Sequence, residues 1–174
     1  MDVVKRPYVA AVSGVKNSGK TTFLEKLIPV LTARGYQVAV IKHDGHEFEA
    51  DVEGRDTFRL KEAGAYGCGI FSGSRFMVVK DDAGIDERKM LDLFPEADVI
   101  LLEGMKNSSY PKFEIVRRGV STGMVCAKET LLGLVTDTGL CLENVPVLAL
   151  EDVQACADIL EENMNRCCWN EEIL

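Results

Sequence analysis

One stretch of the chain carries residues whose types and spacing suit a single chemical task. Gly14-Val15-Lys16-Asn17-Ser18-Gly19-Lys20-Thr21-Thr22 follows the spacing G-x-x-x-x-G-K-[ST]. The glycines let the backbone curl so that several N–H groups aim at one anion. A helix beginning near Gly19 adds the positive end of its dipole. Lys20 is placed to reach the β- and γ-phosphates of a nucleotide, and the Thr21 hydroxyl to bind Mg²⁺. Gly14 through Thr22 are therefore read as a phosphate-binding loop.

Other residues suit the surroundings of a phosphate. The apolar run Asp98-Val-Ile-Leu-Leu-Glu103 reads as a buried strand ending in an acid. An acid at that tip can hold Mg²⁺ or orient a nucleophilic water. Aspartate is usual there, so Glu103 is a departure. His43, Asp44, His46, Glu49 and Asp51 crowd the exit of an earlier strand. Asp44 could reach the nucleotide's Mg²⁺ from that position, or the histidines and carboxylates could hold a transition metal. Lys106, Lys112, Arg117 and Arg118 supply positive charge useful to a triphosphate. Asp137, in Val135-Thr136-Asp137-Thr138, could accept the N1–H and N2–H of guanine, although the usual [NT]-K-x-D signature is missing.

The elements that must position these groups follow from periodicity. Tyr8 to Ser13 is a buried-type strand. Phe23, Leu24, Leu27, Ile28 and Leu31 then recur at helical spacing up to about Arg34. Gln37–Ile41 gives a second strand and closes a β-α-β unit. Asp56–Ala63 predicts a short helix, and 68–72 with 75–80 a hairpin turning at Gly73-Ser74. Asp86–Phe94 predicts a helix. Phe113–Arg117 alternates, and so predicts a strand half exposed at an edge. Late strands fall at 131–135 and 145–148, and a last helix runs from Asp152 to Met164. Strands alternating with helices predict an α/β fold: a mostly parallel sheet with helices on both faces and an added hairpin.

Composition narrows the function classes. The 174 residues fit one nucleotide-binding domain, 1–174, with 47% hydrophobic residues to build its core. A net charge of −8 argues against nucleic-acid and membrane-surface partners. No stretch is long enough to span a bilayer, and no signal-peptide core precedes the loop. The six cysteines, Cys167-Cys168 among them, form no C-x-x-C pair. Scattered thiols of this kind fit a reducing cytoplasm.

Taken together, several pieces resemble the MobB-type molybdopterin-guanine dinucleotide biosynthesis adaptor proteins. They are Gly14–Thr22, Ile41-Lys-His-Asp-Gly-His46, Asp56-Thr-Phe-Arg59, Ala63-Gly-Ala65, Leu102-Glu-Gly-Met-Lys106 and Pro111-Lys-Phe-Glu-Ile-Val-Arg117. The resemblance covers most of the chain to about Asp152. It implies a GTP-binding P-loop protein and a homodimer, accessory to the guanylyltransferase that joins GMP to molybdopterin. It places Asp44 and Glu103 beside the metal, and lets the hairpin near 72–80 and the strand near 113–117 extend the sheet and pair across a dimer. Related dimeric P-loop proteins often carry a lysine where Val15 stands, so a lysine donated across the dimer is not expected. A small-molecule P-loop kinase and a metal-delivery GTPase are the competing readings. The first lacks an arginine-rich lid segment, and the second has only two histidines to work with. No arginine is placed by motif as a finger in cis; Arg55, Arg59 and Arg117 are the nearest candidates, so slow hydrolysis is expected.

Overall fold

Two apolar runs set the centre of the main sheet: Val99–Glu103 and Lys112–Val116 are buried at every position. The computed structural model describes residues 6–44, 48 and 51–171, with side chains through Arg166. His46, Glu49 and the side chains of Cys167-Cys168 lie outside the described residues. In chain order the elements are β1 (Tyr8–Ser13), α1 (Lys20–Ala33), β2 (Val38–Lys42), α2 (Asp56–Glu62), β3 (Gly67–Phe71), β4 (Phe76–Lys80), α3 (Glu87–Leu91), β5 (Val99–Glu103), β6 (Lys112–Val116), β7 (Leu131–Thr136), β8 (Val147–Leu148) and α4 (Val153–Glu171). They fall into two compact units, one of residues 1–43 with 91–174 and the other of residues 44–90.

The first unit holds a six-stranded sheet of order β2-β5-β1-β6-β7-β8. Every pairing in it is parallel. β1 therefore sits inside, between β5 and β6, and its carboxyl end opens where the sheet order reverses, the usual ligand edge of such sheets. On one face Ala10, Val12, Val99, Leu101, Phe113, Ile115 and Val135 pack against Phe23, Leu24, Leu27 and Leu31 of α1 and Cys156, Ala157, Leu160 and Met164 of α4. Arg34 ties the two helices at the rim, 2.8 Å from Asp158 and 2.7 Å from Glu161.

β6 departs from the sequence expectation. It is an interior strand, not a half-exposed edge, because its polar face is buried and satisfied. Lys112 and Glu114 are both fully buried. The Lys112 ammonium donates to the Ser108 carbonyl at 2.6 Å and the Ser108 hydroxyl at 3.2 Å, and lies 3.3 Å from the Met105 carbonyl and 3.4 Å from that of Lys106. Glu114 accepts the backbone N–H groups of Val125 (2.5 Å) and Cys126 (3.1 Å).

The second unit contains α2 and a hairpin of β3 and β4, antiparallel with Phe71 opposite Phe76 and Gly69 opposite Val78. The turn falls at Gly73-Ser74, as expected, closed by Ser72 N–H donating to the Arg75 carbonyl at 2.7 Å. The hairpin forms its own two-stranded sheet and does not extend the six-stranded one. Lys61 meets Asp81 at 2.9 Å and Lys89 meets Asp82 at 3.2 Å. The helix expected over Asp86–Phe94 is confined to Glu87–Leu91.

Candidate functional site

Residues 14–19 join the interior end of β1 to α1, and their backbone takes the shape that the glycines permit. Gly14 has φ +139°, and a Cβ there would lie 2.6 Å from the Ile115 carbonyl oxygen and 2.8 Å from Ser18 Oγ. No other residue fits that place without moving the β6 backbone. Asn17 at φ 63° and Gly19 at φ 99° complete the curl. Lys20 folds back over the loop, donating to the Val15 carbonyl at 2.8 Å and lying 3.3 Å from that of Gly14. The ammonium is thereby held at the mouth of the loop. Partial burial lowers its pKa most; Glu103 opposes that shift, while Lys42 and Lys106 add to it.

Parallel register brings the acid to the same mouth. Val12 of β1 and Lys42 of β2 both stand opposite Glu103 at the end of β5. Thr21 Oγ1 donates to Glu103 Oε1 at 2.9 Å, and the Lys42 ammonium lies 3.9 Å from the same oxygen. Glu103 is buried, so its charge is little screened. Just beyond it, Gly104 (φ 103°) and Met105 (φ 53°) turn the chain back. The Ser13 hydroxyl donates to the Gly104 carbonyl and fastens this turn to the start of the loop.

Ser18 completes the arrangement. It is 1% exposed, and its hydroxyl is the one buried side-chain oxygen without a partner among the described residues. A buried, unpaired hydroxyl costs about 1–3 kcal/mol, and Ser18 Oγ lies 2.8 Å from the point a Cβ on Gly14 would occupy. The loop thus has the form and the charge to receive an oxyanion.

The remaining basic and acidic residues divide among separate tasks. Lys112 shapes the 105–108 turn from inside. Arg118 donates its backbone N–H to Asp137 Oδ1 at 2.7 Å and its guanidinium to the Asp137 carbonyl at 2.9 Å. Asp137 stands just past the end of β7, with one carboxylate oxygen engaged in this way. Asp44 belongs to the second unit, two residues past the end of β2, and is exposed. The Lys112 clamp was not read from the sequence, although its signal is there: Lys112 and Glu114, two apart on a strand, must share a face.

An interior parallel strand, a glycine-shaped loop, a helix opening with Lys-Thr and a neighbouring strand tipped by an acid define a P-loop NTPase-like fold. The family model for molybdopterin guanine dinucleotide synthesis protein B matches residues 9–137. The molybdopterin-guanine dinucleotide biosynthesis adapter protein of Haemophilus influenzae is 31% identical over 156 residues, 86% of this chain and 85% of the relative. Its Escherichia coli namesake is 32% identical over 156 residues, 86% of this chain and 89% of the relative. The crystal structure of Bacillus subtilis MobB matches with a TM-score of 0.70 at 24% identity, covering 88% of this chain and 96% of that one. The chain belongs to the MobB family.

Proposed function

We propose that the protein is a GTP-binding adaptor of molybdenum cofactor biosynthesis that assists guanylyl transfer to molybdopterin. The role in cofactor biosynthesis rests on relatives that share most of the chain and are named for that pathway. The observation that carries nucleotide binding is the mouth of the loop, where Lys20, Thr21 and Glu103 converge. In this reading the backbone of Gly14, Val15, Lys16, Asn17, Ser18 and Gly19 and the side chains of Lys20 and Thr22 hold the phosphates. Mg²⁺ is a hard cation that takes oxygen ligands. The Thr21 hydroxyl and the Glu103 carboxylate are such ligands. Asp137 is assigned to the guanine base through the carboxylate oxygen that Arg118 leaves open.

Turnover is slow in this account. Lys20 and a Thr21-bound Mg²⁺ hold the ground state as well as the transition state, and uniform binding does not raise the rate. Glu103 can orient a water, but a cation that meets only the transition-state charge has to come from elsewhere. A homodimer is the proposed assembly, supported by the exposed hairpin face of Phe71, Phe76 and Val78, which offers an apolar surface to a second copy. Its partners are the guanylyltransferase and molybdopterin, and its compartment the cytoplasm. Among the described residues no helix is long and apolar enough to cross a membrane. The test is a pulldown of the full chain from its own cytosol with and without GTP. Recovery of a nucleotidyltransferase together with a pterin is expected, and recovery of neither under either condition would overturn the adaptor role.

A further inference from the structure

Lys112 is a cation with 0% exposure, and its surroundings are oxygen. The carbonyls of Met105 (3.3 Å), Lys106 (3.4 Å) and Ser108 (2.6 Å) and the Ser108 hydroxyl (3.2 Å) lie around its ammonium. An ammonium has three donors and no acceptor, so a ring of acceptors is what lets it be buried without a carboxylate. No ion pair among the described residues includes it. All four oxygens belong to residues 105–108, the turn that follows Glu103-Gly104. Met105 stands there at φ 53°, a left-handed conformation that residues other than glycine rarely adopt. Such backbone persists where its surroundings over-determine it. The Lys112 ammonium and the Ser108 hydroxyl, which donates at 2.7 Å, both hold the Met105 carbonyl and supply that restraint.

The start of the same turn is pinned to β1. The Gly104 N–H donates to the Val12 carbonyl at 2.9 Å, and the Gly104 carbonyl accepts from the Ser13 hydroxyl. The backbone of Lys106 is thus fixed from both ends, by β1 before it and by Lys112 within the turn. Its side chain is exposed, and no ion pair among the described residues includes it. Its charge is felt at Lys20: burial depresses the Lys20 pKa most, and Lys42 and Lys106 add to that against Glu103. Three ammoniums therefore share one carboxylate, and Lys42 already lies 3.9 Å from it. Like charges gathered in this way are repelled, and an anion between them reverses the sign. With Lys20 at the β- and γ-phosphates and the metal at Thr21, Lys106 comes from the turn after Glu103, the acid that Thr21 contacts. It meets the outer end of the phosphate chain.

We infer that Lys106 is the cation that selects a nucleoside triphosphate over a diphosphate, and that Lys112 is the positioning residue that holds it there by clamping the 105–108 turn. The inference rests on the reading of Gly14–Thr22 as a nucleotide site. Calorimetry on the full chain with GTP and with GDP, each with Mg²⁺, tests it. Lys106→Ala is expected to weaken GTP about tenfold, the worth of one charge-assisted contact, and GDP by much less. Lys112→Met is expected to lower the preference for GTP in the same way, and to lower it no further in a chain that already carries Lys106→Ala, because it acts through Lys106. Ser108→Ala removes the hydroxyl between the Lys112 ammonium and the Met105 carbonyl, and carries the same test with a smaller loss of preference should Lys112→Met not fold. An unchanged preference in Lys106→Ala, or an equal loss for both nucleotides, would overturn the assignment of Lys106. The positioning role would be overturned by folded Lys112→Met and Ser108→Ala chains that keep the full preference, or by a loss of preference that persists undiminished without Lys106. Lys20→Ala serves as the control: if it weakens GTP while Lys106→Ala leaves the preference intact, this inference alone fails. If the wild-type chain binds neither nucleotide, the nucleotide reading fails with it.

Discussion

The two units of this chain treat apolar residues in opposite ways. In the first, β5 and β6 are buried end to end, and the aliphatic stripes of α1 and α4 close over Phe113 and Ile115. In the second, no described residue of 44–90 is buried. Phe71 is 85% exposed, Phe76 76% and Tyr66 77%. Chain-internal burial stabilises the first unit, and its loop takes its positive-φ form on a base of buried strands. The second unit presents its apolar side chains outward, as a surface awaiting another chain does. Buried strands and exposed apolar side chains thus fall in separate parts of one sequence.

The sharpest way to break that contrast is to make the same truncation in both units. Phe113 is 1% exposed and packs against Phe23 with ring centroids 6.4 Å apart. Phe113→Ala should cost about 3–5 kcal/mol in denaturant unfolding. Phe76→Ala should cost the monomer about 0.5 kcal/mol or less, and any further loss should vary with protein concentration, as expected for a dimer contact. Equal, concentration-independent costs would dissolve the distinction. Next in size is assembly itself. Phe71→Asp with Phe76→Asp puts carboxylates on the hairpin face and should shift the mass in light scattering from two chains to one, leaving GTP affinity in place. A dimer that survives this variant would place the interface elsewhere.

A smaller effect concerns alkaline pH, and it belongs to the first unit. Burial, with Asp152 adding to it, pushes the Cys156 thiol from its ordinary 9.0 up to about 12, and burial with Glu114 pushes Cys126 up to about 11. A raised thiol pKa means that the folded chain keeps a proton the unfolded chain has lost. The stabilisation is complete below pH 9 and is lost as the pH climbs through 11 and 12. In that window each thiol contributes a slope of about 1.4 kcal/mol per pH unit. Cys156→Ala should flatten the fall of unfolding free energy between pH 8 and 10.5. An unchanged slope would show that this thiol is not shielded as its burial implies.

The sequence announced the scaffold more clearly than the surroundings of the site. The tight turn from β1 into α1 at Gly14, Gly19 and Lys20-Thr21 is legible because it is local: its glycines and helix start fall within nine consecutive residues. β1, α1, β5 and the turn at Gly73-Ser74 were legible for the same reason, each carrying its own period or turn chemistry. β6 was misread because alternation assumes that a polar residue on a strand faces water. Lys112 and Glu114 face protein instead, and their partners at 105–108 and 125–126 come from elsewhere in the chain. The hairpin was legible as a hairpin, but not its separation from the main sheet, since edge pairing leaves no mark in composition. The basic residues after Glu103 look alike in sequence, and only their neighbours sort them into the Lys112 clamp, the Arg118–Asp137 tie and Arg117 beside Gly19.

The central claim, that the first unit binds a nucleotide at Gly14–Thr22, is tested most directly by calorimetric titration of GTP with Mg²⁺ into the wild-type chain and Lys20→Ala. Losing the ammonium at the mouth of the loop removes a charged contact worth about 2–4 kcal/mol. The account predicts one saturable site in the wild type and an affinity lower by about two orders of magnitude or more in the variant, with folding intact by circular dichroism. A folded Lys20→Ala chain that binds GTP as tightly as the wild type would contradict it.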